Sequence, residues 1–187
     1  VNPTGRIHNF GAGPAVLPLE VVEECRKSLP NLDNSGFGLI EISHRSQTFQ
    51  NIVDSSMEKL RRILSIPEDY TVLYLQGGAS LQFYMSALNL LRENEKVDFL
   101  ITGAWSQKSM KEANRIGDAS SRWDDAENGF ISIPKNGDYS VRKDCLYLHY
   151  TSNNTLFGTQ FHHLPDSNGK PRVLDASSDI MGVPLDV

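Results

Sequence analysis

The run Tyr70-Thr71-Val72-Leu73-Tyr74-Leu75 passes directly into Gln76-Gly77-Gly78-Ala79-Ser80-Leu81-Gln82-Phe83, and this change of pattern constrains the fold more than any other feature of the chain. The first six residues are β-branched, aromatic or aliphatic, the make-up of a short buried strand. Two glycines then break the run. From Ser80 the apolar positions move to Leu81, Met85 and Leu88, with Phe83, Ala87 and Leu91 alongside, which is helical spacing. The stretch therefore reads as strand, tight loop, helix. A helix that starts this way presents backbone N–H groups without intrahelical acceptors, together with the positive end of its dipole. The small side chains of Gly78, Ala79 and Ser80 let a phosphate approach those donors closely. The loop is neither Gly-x-Gly-x-x-Gly nor a Gly-Lys-Ser/Thr nucleotide loop, so its ligand has to be inferred from what else reaches it.

Along the rest of the chain, strands alternate with helices. A glycine-rich opening precedes an apolar stripe at Val21, Val22 and Cys25, between Pro18 and Pro30. The polar segment Glu41-Ile42-Ser43-His44-Arg45-Ser46 leads into a long helix carrying Phe49, Ile52, Val53, Met57, Leu60, Ile63 and Leu64. Val97–Thr102 reads as a buried strand, Gly103-Ala104-Trp105-Ser106 opens a helix reaching about Arg115, and Ile131–Tyr139 is an excursion with an Asn-Gly turn. Leu146–Tyr150 and Arg172–Asp175 read as two further strands. This order implies an α/β fold, a mainly parallel sheet with helices on both faces. The expected organisation is an N-terminal segment, 1–15, and a larger domain, 16–187, incomplete at its C-terminus.

The chain has 187 residues, 39% hydrophobic and 22% charged, with a net charge of −5. An acidic balance argues against nucleic-acid binding through a basic face. No apolar run approaches the ~20 residues of a membrane helix, and Val1–Arg6 has no secretory apolar core. Cys25 and Cys145 lack metal-ligand spacing and fit reduced thiols in a cytoplasmic protein, with Cys25 packed on its helix.

In a parallel sheet, ligands bind off the carboxyl ends of the strands. There the sequence sets Gly77–Ser80, Thr102–Trp105, Asn153–Thr155 and Asp175–Ser178. Trp105 offers a flat face for stacking, worth roughly 1 kcal/mol beyond burial. Asp175 can keep a heterocyclic nitrogen protonated, and Thr155 can bond a phenolic oxygen. A ring with a phosphate, a protonatable nitrogen and a phenolic oxygen is pyridoxal phosphate (PLP), whose chemistry depends on an acidic partner to that nitrogen. Each residue also has an ordinary reading: Trp105 as core, Asp175 as a cap of the next turn, Thr155 as a turn closer.

Several motifs carry a resemblance. Asn9–Pro18, Glu41–Ser46, Leu75–Phe83, Thr102–Ser106, His149–Thr155 and Asp175–Met181 together resemble the phosphoserine aminotransferases, a class V, fold-type I family, in the family's own order and across the whole chain. The resemblance implies a cytoplasmic, PLP-dependent homodimer of serine biosynthesis. Its substrates are 3-phosphohydroxypyruvate and glutamate, and its products phosphoserine and 2-oxoglutarate. It implies that Gly78, Ala79 and Ser80 hold the cofactor phosphate, that Trp105 stacks on its ring, and that Thr155 and Asp175 meet its phenolic oxygen and nitrogen. It also implies that His44 and Arg45 contribute to the substrate-phosphate pocket, a role suited to a guanidinium fork beside an imidazole donor. Some family members have an arginine where Ser80 stands, which leaves fewer cations near the substrate phosphate here.

Transamination also needs a lysine to hold the cofactor and move a proton at the substrate α-carbon. Lys27, Lys59, Lys96, Lys108, Lys111, Lys135, Lys143 and Lys170 read as solvated groups on helix faces or turns, as do Arg6, Arg61, Arg62 and Arg115. The family places its lysine shortly after the segment resembling Pro184–Val187, so the expectation is an N-terminal portion, inactive alone, with a companion half carrying the lysine. Three other readings stay open: another class V enzyme such as a serine–glyoxylate aminotransferase or a desulfurase, a non-catalytic fragment, and a nucleotide-binding module. The last lacks a ribose-binding acid at the expected spacing.

Overall fold

The computed structural model describes residues 5–11 and 16–185. Residues 1–4 and 12–15 of the expected N-terminal segment, and Asp186 and Val187 at the other end, lie outside the described residues. The chain separates into two compact units, one running to Val72 and the other starting at Leu73.

In the first unit, Pro18 stands immediately ahead of helix α1 (Leu19–Ser28), where its φ of −52° suits helix entry. Helix α2 (Gln47–Ile63) is capped by Ser46, whose hydroxyl accepts the Phe49 N–H at 3.2 Å. Beyond its end, Arg61 donates to the carbonyls of Pro67 at 3.1 Å and Tyr70 at 2.5 Å. The guanidinium therefore ties down the following loop instead of standing free in solvent. Neither helix has a buried residue. Cys25 is exposed, contrary to the packing its apolar stripe implies.

The expected strand at Tyr70–Leu75 does not form. The stretch has no regular secondary structure, and Leu73, Tyr74 and Leu75 are 65%, 51% and 55% exposed. A strand is defined by hydrogen bonds to a neighbour, and no described ladder includes these residues. Apolar composition alone does not supply that partner.

The second unit begins with α3 (Gly78–Leu90) and continues through β1 (Lys96–Ile101), α4 (Ala104–Ala113) and β2 (Asp118–Asp124). After an irregular excursion come β3 (Cys145–Thr151), a short antiparallel hairpin of β4 (Asn153–Asn154) and β5 (Thr159–Gln160), and β6 (Arg172–Asp175). The main sheet has the order β2-β1-β3-β6 and every pairing in it is parallel, with Phe99 opposite His149 and Thr151 opposite Asp175. This is an α/β architecture, a parallel sheet flanked by helices. Strand β2 is a finding of the structure: its residues are mostly polar, and its strand character comes from the ladder with β1.

Side chains alternate across the sheet. Val97, Phe99 and Ile101 pack with Ala87 from α3, Leu91 just beyond its end and Ala113 from α4, while Leu100, Leu148 and Tyr150 gather with Val141 and Cys145. Each of the β1 apolar side chains is at most 1% exposed, which corresponds to about 1.5–3 kcal/mol apiece in transfer terms. Asp98 is equally buried in the middle of this strand. It is tolerated because Arg142 meets it twice, the side-chain Nε at 2.6 Å and the backbone N–H at 2.7 Å.

Candidate functional site

Because their pairings are parallel, β1, β3 and β6 all end at one edge of the sheet. At the end of β1 a buried polar lock sets the direction of α4. Ser106 Oγ accepts the N–H groups of Thr102 at 3.0 Å and Gly103 at 3.1 Å, and donates to the Gly103 carbonyl at 2.8 Å. Asn154 Nδ2 donates to Thr102 Oγ1 at 2.8 Å, and Thr159 Oγ1 donates to the Thr102 carbonyl at 2.6 Å. Both strands of the β4–β5 hairpin are thereby fastened to the start of α4. Glycine at position 103 makes room for the contact, since a Cβ there would lie 2.4 Å from Asn154 Oδ1.

The lock has a direct consequence at the surface. Trp105 and Thr155 meet, the indole Nε1 donating to Thr155 Oγ1 at 3.3 Å. Further along α4, Lys108 Nζ donates to Ser80 Oγ at 2.8 Å and stands 5.9 Å from the centroid of the Trp105 ring. That distance lies inside the cation–π range. Ser80 belongs to the first turn of α3, whose abrupt start depends on Gly77 at φ +95° and Gly78 at φ +58°, left-handed conformations that glycine adopts without strain.

A cavity of about 250 Å³ connects the start of α3 to the end of β6, lined by Ala79, Gln82, Phe83, His149, Asp175 and Ser177 among others. It is slightly smaller than the about 300 Å³ at which small-molecule pockets usually begin. Asp175 Oδ1 accepts from the Ser177 N–H at 3.1 Å and the Ser177 hydroxyl at 2.6 Å. The carboxylate thus does cap its turn, using one of its two oxygens.

Six of the eight expected site residues belong to this unit. Ala79 and Asp175 share the cavity, with Gly78 next to Ala79, while Ser80, Trp105 and Thr155 form one line of contacts through Lys108. His44 and Arg45 belong to the first unit, both exposed in the turn before α2, where the Arg45 N–H donates to Ser43 Oγ at 3.2 Å.

Sequence reasoning missed two residues. Lys108 reads as a solvated lysine on a helix face, and only the fold reveals its reach to Ser80. His149 sits in the apolar run of β3, stacked on Phe99 with centroids 4.6 Å apart, with Nε2 2.9 Å from Ser109 Oγ and Nδ1 buried without a partner. Burial pushes its imidazole down to about 3, so it is neutral at physiological pH. The signal for it was a titratable ring amid the aliphatic residues of a buried strand.

A family model described as aminotransferase class-V matches residues 7–187, and the chain belongs to that family. Within it, the likeness is to phosphoserine aminotransferases. The chain is 43% identical over 182 residues to the one from Halalkalibacterium halodurans and 44% identical over 182 residues to that from Desulfotalea psychrophila, in each case covering 97% of this chain and 50% of the relative. Among solved structures, the phosphoserine aminotransferase from Bacillus circulans subsp. alkalophilus superposes with a TM-score of 0.92 at 37% identity, over 97% of this chain and 50% of that one. The PLP-bound phosphoserine aminotransferase from Trichomonas vaginalis gives a TM-score of 0.85 at 35% identity, over 93% and 52%. The chain spans about half the length of the curated relatives it matches.

Proposed function

We propose that residues 1–187 form the cofactor-binding half of a phosphoserine aminotransferase, which exchanges an amino group between glutamate and 3-phosphohydroxypyruvate in serine biosynthesis. The observation that carries this reading is the cavity joining the first turn of α3 to the carboxylate of Asp175, with Trp105 and Thr155 linked to the same turn through Lys108 and Ser80. The residues suit PLP in donor chemistry. The open N–H groups at the start of α3, around Gly78 and Ala79, and the Ser80 hydroxyl bind a phosphate. Trp105 supplies a flat face for a ring, Thr155 a hydroxyl for a phenolic oxygen, and the free oxygen of Asp175 a negative partner for a pyridine nitrogen. When bound, the cofactor supplies the electron sink for chemistry at the substrate α-carbon. The aspartate favours the protonated ring nitrogen on which that sink depends. His44 and Arg45 are assigned to the substrate phosphate, as a fork and an adjacent donor.

The lysine that holds the cofactor and moves the α-proton is expected in the half of the relatives' length that this chain does not span. The complete enzyme is read as a cytoplasmic homodimer acting on small molecules; among the described residues no helix is long and apolar enough to cross a membrane.

The test is turnover with phosphoserine and 2-oxoglutarate. The chain alone is expected to be inactive, and supplying the missing half is expected to give activity that depends on the substrate phosphate. Serine accepted as readily as phosphoserine would reject the substrate assignment. Undiminished turnover in Asp175→Ala would reject the ring-nitrogen assignment.

A further inference from the structure

The loop proposed to hold the cofactor phosphate carries no charge of its own: Gln76 to Phe83 includes neither lysine nor arginine. A phosphate bound at the start of α3 would have only backbone dipoles and the Ser80 hydroxyl to offset its charge. The fold brings one ammonium to this place. Lys108, 28 residues further along the chain, donates from Nζ to Ser80 Oγ at 2.8 Å. Its Nζ also stands 5.9 Å from the centroid of the Trp105 ring, within cation–π range.

We propose that Lys108 is a phosphate-binding residue, the cation of the anion site whose backbone donors come from α3. An ammonium has three donors and Ser80 occupies one of them, so two remain for phosphate oxygens without loss of the serine contact. The short link to Ser80 keeps the cation near the first turn of α3 before a ligand arrives. This inference rests on the phosphate-binding reading of α3 given above.

The test compares pyridoxamine 5′-phosphate with pyridoxamine, two ligands that differ in the phosphate and lack the aldehyde that would react with lysines at random. Titration calorimetry on this chain is expected to show tighter binding of the phosphorylated ligand. Lys108→Gln is expected to weaken that ligand by roughly five- to tenfold and to leave pyridoxamine unchanged, whereas Lys108→Arg keeps most of the preference. Raising the salt concentration should narrow the gap between the native chain and Lys108→Gln. Equal weakening of both ligands would assign Lys108 to the ring instead of the phosphate, and unchanged binding of both would remove it from the site; either overturns the inference. No preference for the phosphorylated ligand in the native chain would instead overturn the reading of α3 on which it stands. Circular dichroism and urea midpoints matching the native chain establish that the variants fold.

Discussion

Trp105 and Thr155 lie 50 residues apart in the chain, yet the indole N–H of one donates to the hydroxyl of the other at 3.3 Å. Neither residue creates this contact. It follows from the buried lock beneath, where Asn154 and Thr159 of the hairpin bond Thr102, and Ser106 bonds Thr102 and Gly103. The orientation of a surface aromatic ring is thus set by fully buried polar side chains, which have few alternative arrangements because each lost bond leaves an unpaired group in the interior.

Gly103→Ala should therefore be felt at Trp105. The added methyl would collide with Asn154 and force it away from Thr102. The expected cost is about 1–3 kcal/mol of stability, with a change in tryptophan emission as the Trp105–Thr155 contact loosens. Urea denaturation and fluorescence spectra check both. A variant with native stability and native emission would show that the lock does not govern the ring.

The pair of Asp98 and Arg142 predicts a larger effect. Asp98 is completely buried, and Arg142 also reaches the Asp118 carboxylate at 3.0 Å and the Val97 carbonyl at 2.9 Å. Removing the Arg142 side chain leaves the buried carboxylate with the backbone N–H of residue 142 and the more distant Arg122 guanidinium, at 3.9 Å, in place of a direct ion pair. Arg142→Ala is expected to lose about 3–5 kcal/mol, and Asp98→Asn less, because a neutral amide tolerates burial better. Chemical denaturation of the two variants measures the difference, and a loss below about 1 kcal/mol in Arg142→Ala would contradict the assignment.

His149 predicts a pH dependence of folding. In the unfolded chain its imidazole titrates near the ordinary 6.5, whereas burial in the fold holds it down to about 3. Between those values the unfolded state binds one proton more than the folded state, so this group's contribution makes stability rise with pH. The contribution is complete above about pH 6.5 and falls by up to about 1.4 kcal/mol per unit below it. Urea midpoints at pH 7.5 and pH 5 should therefore draw closer in His149→Phe than in the native chain. An unchanged gap would mean that the imidazole is already protonated in the fold.

The apolar runs of Lys96–Ile101, Cys145–Thr151 and Arg172–Asp175, and the helical spacing that produces α2, α3 and α4, are properties of neighbouring residues and were legible in residue order. So were the glycine loop and the residue types at the strand ends, because turns and caps select side chains locally. Pairing is different. Asp118–Asp124 is polar and becomes a strand through its ladder with β1, while Tyr70–Leu75 is apolar and remains irregular without one. Lys108 and His149 gain their meaning from partners 28 and 40 positions away, Ser80 and Ser109. Local spacing carries periodicity and chemistry, but which strand edge is shared, and which charge meets which hydroxyl, are settled only when the packed chain brings distant residues to bonding distance.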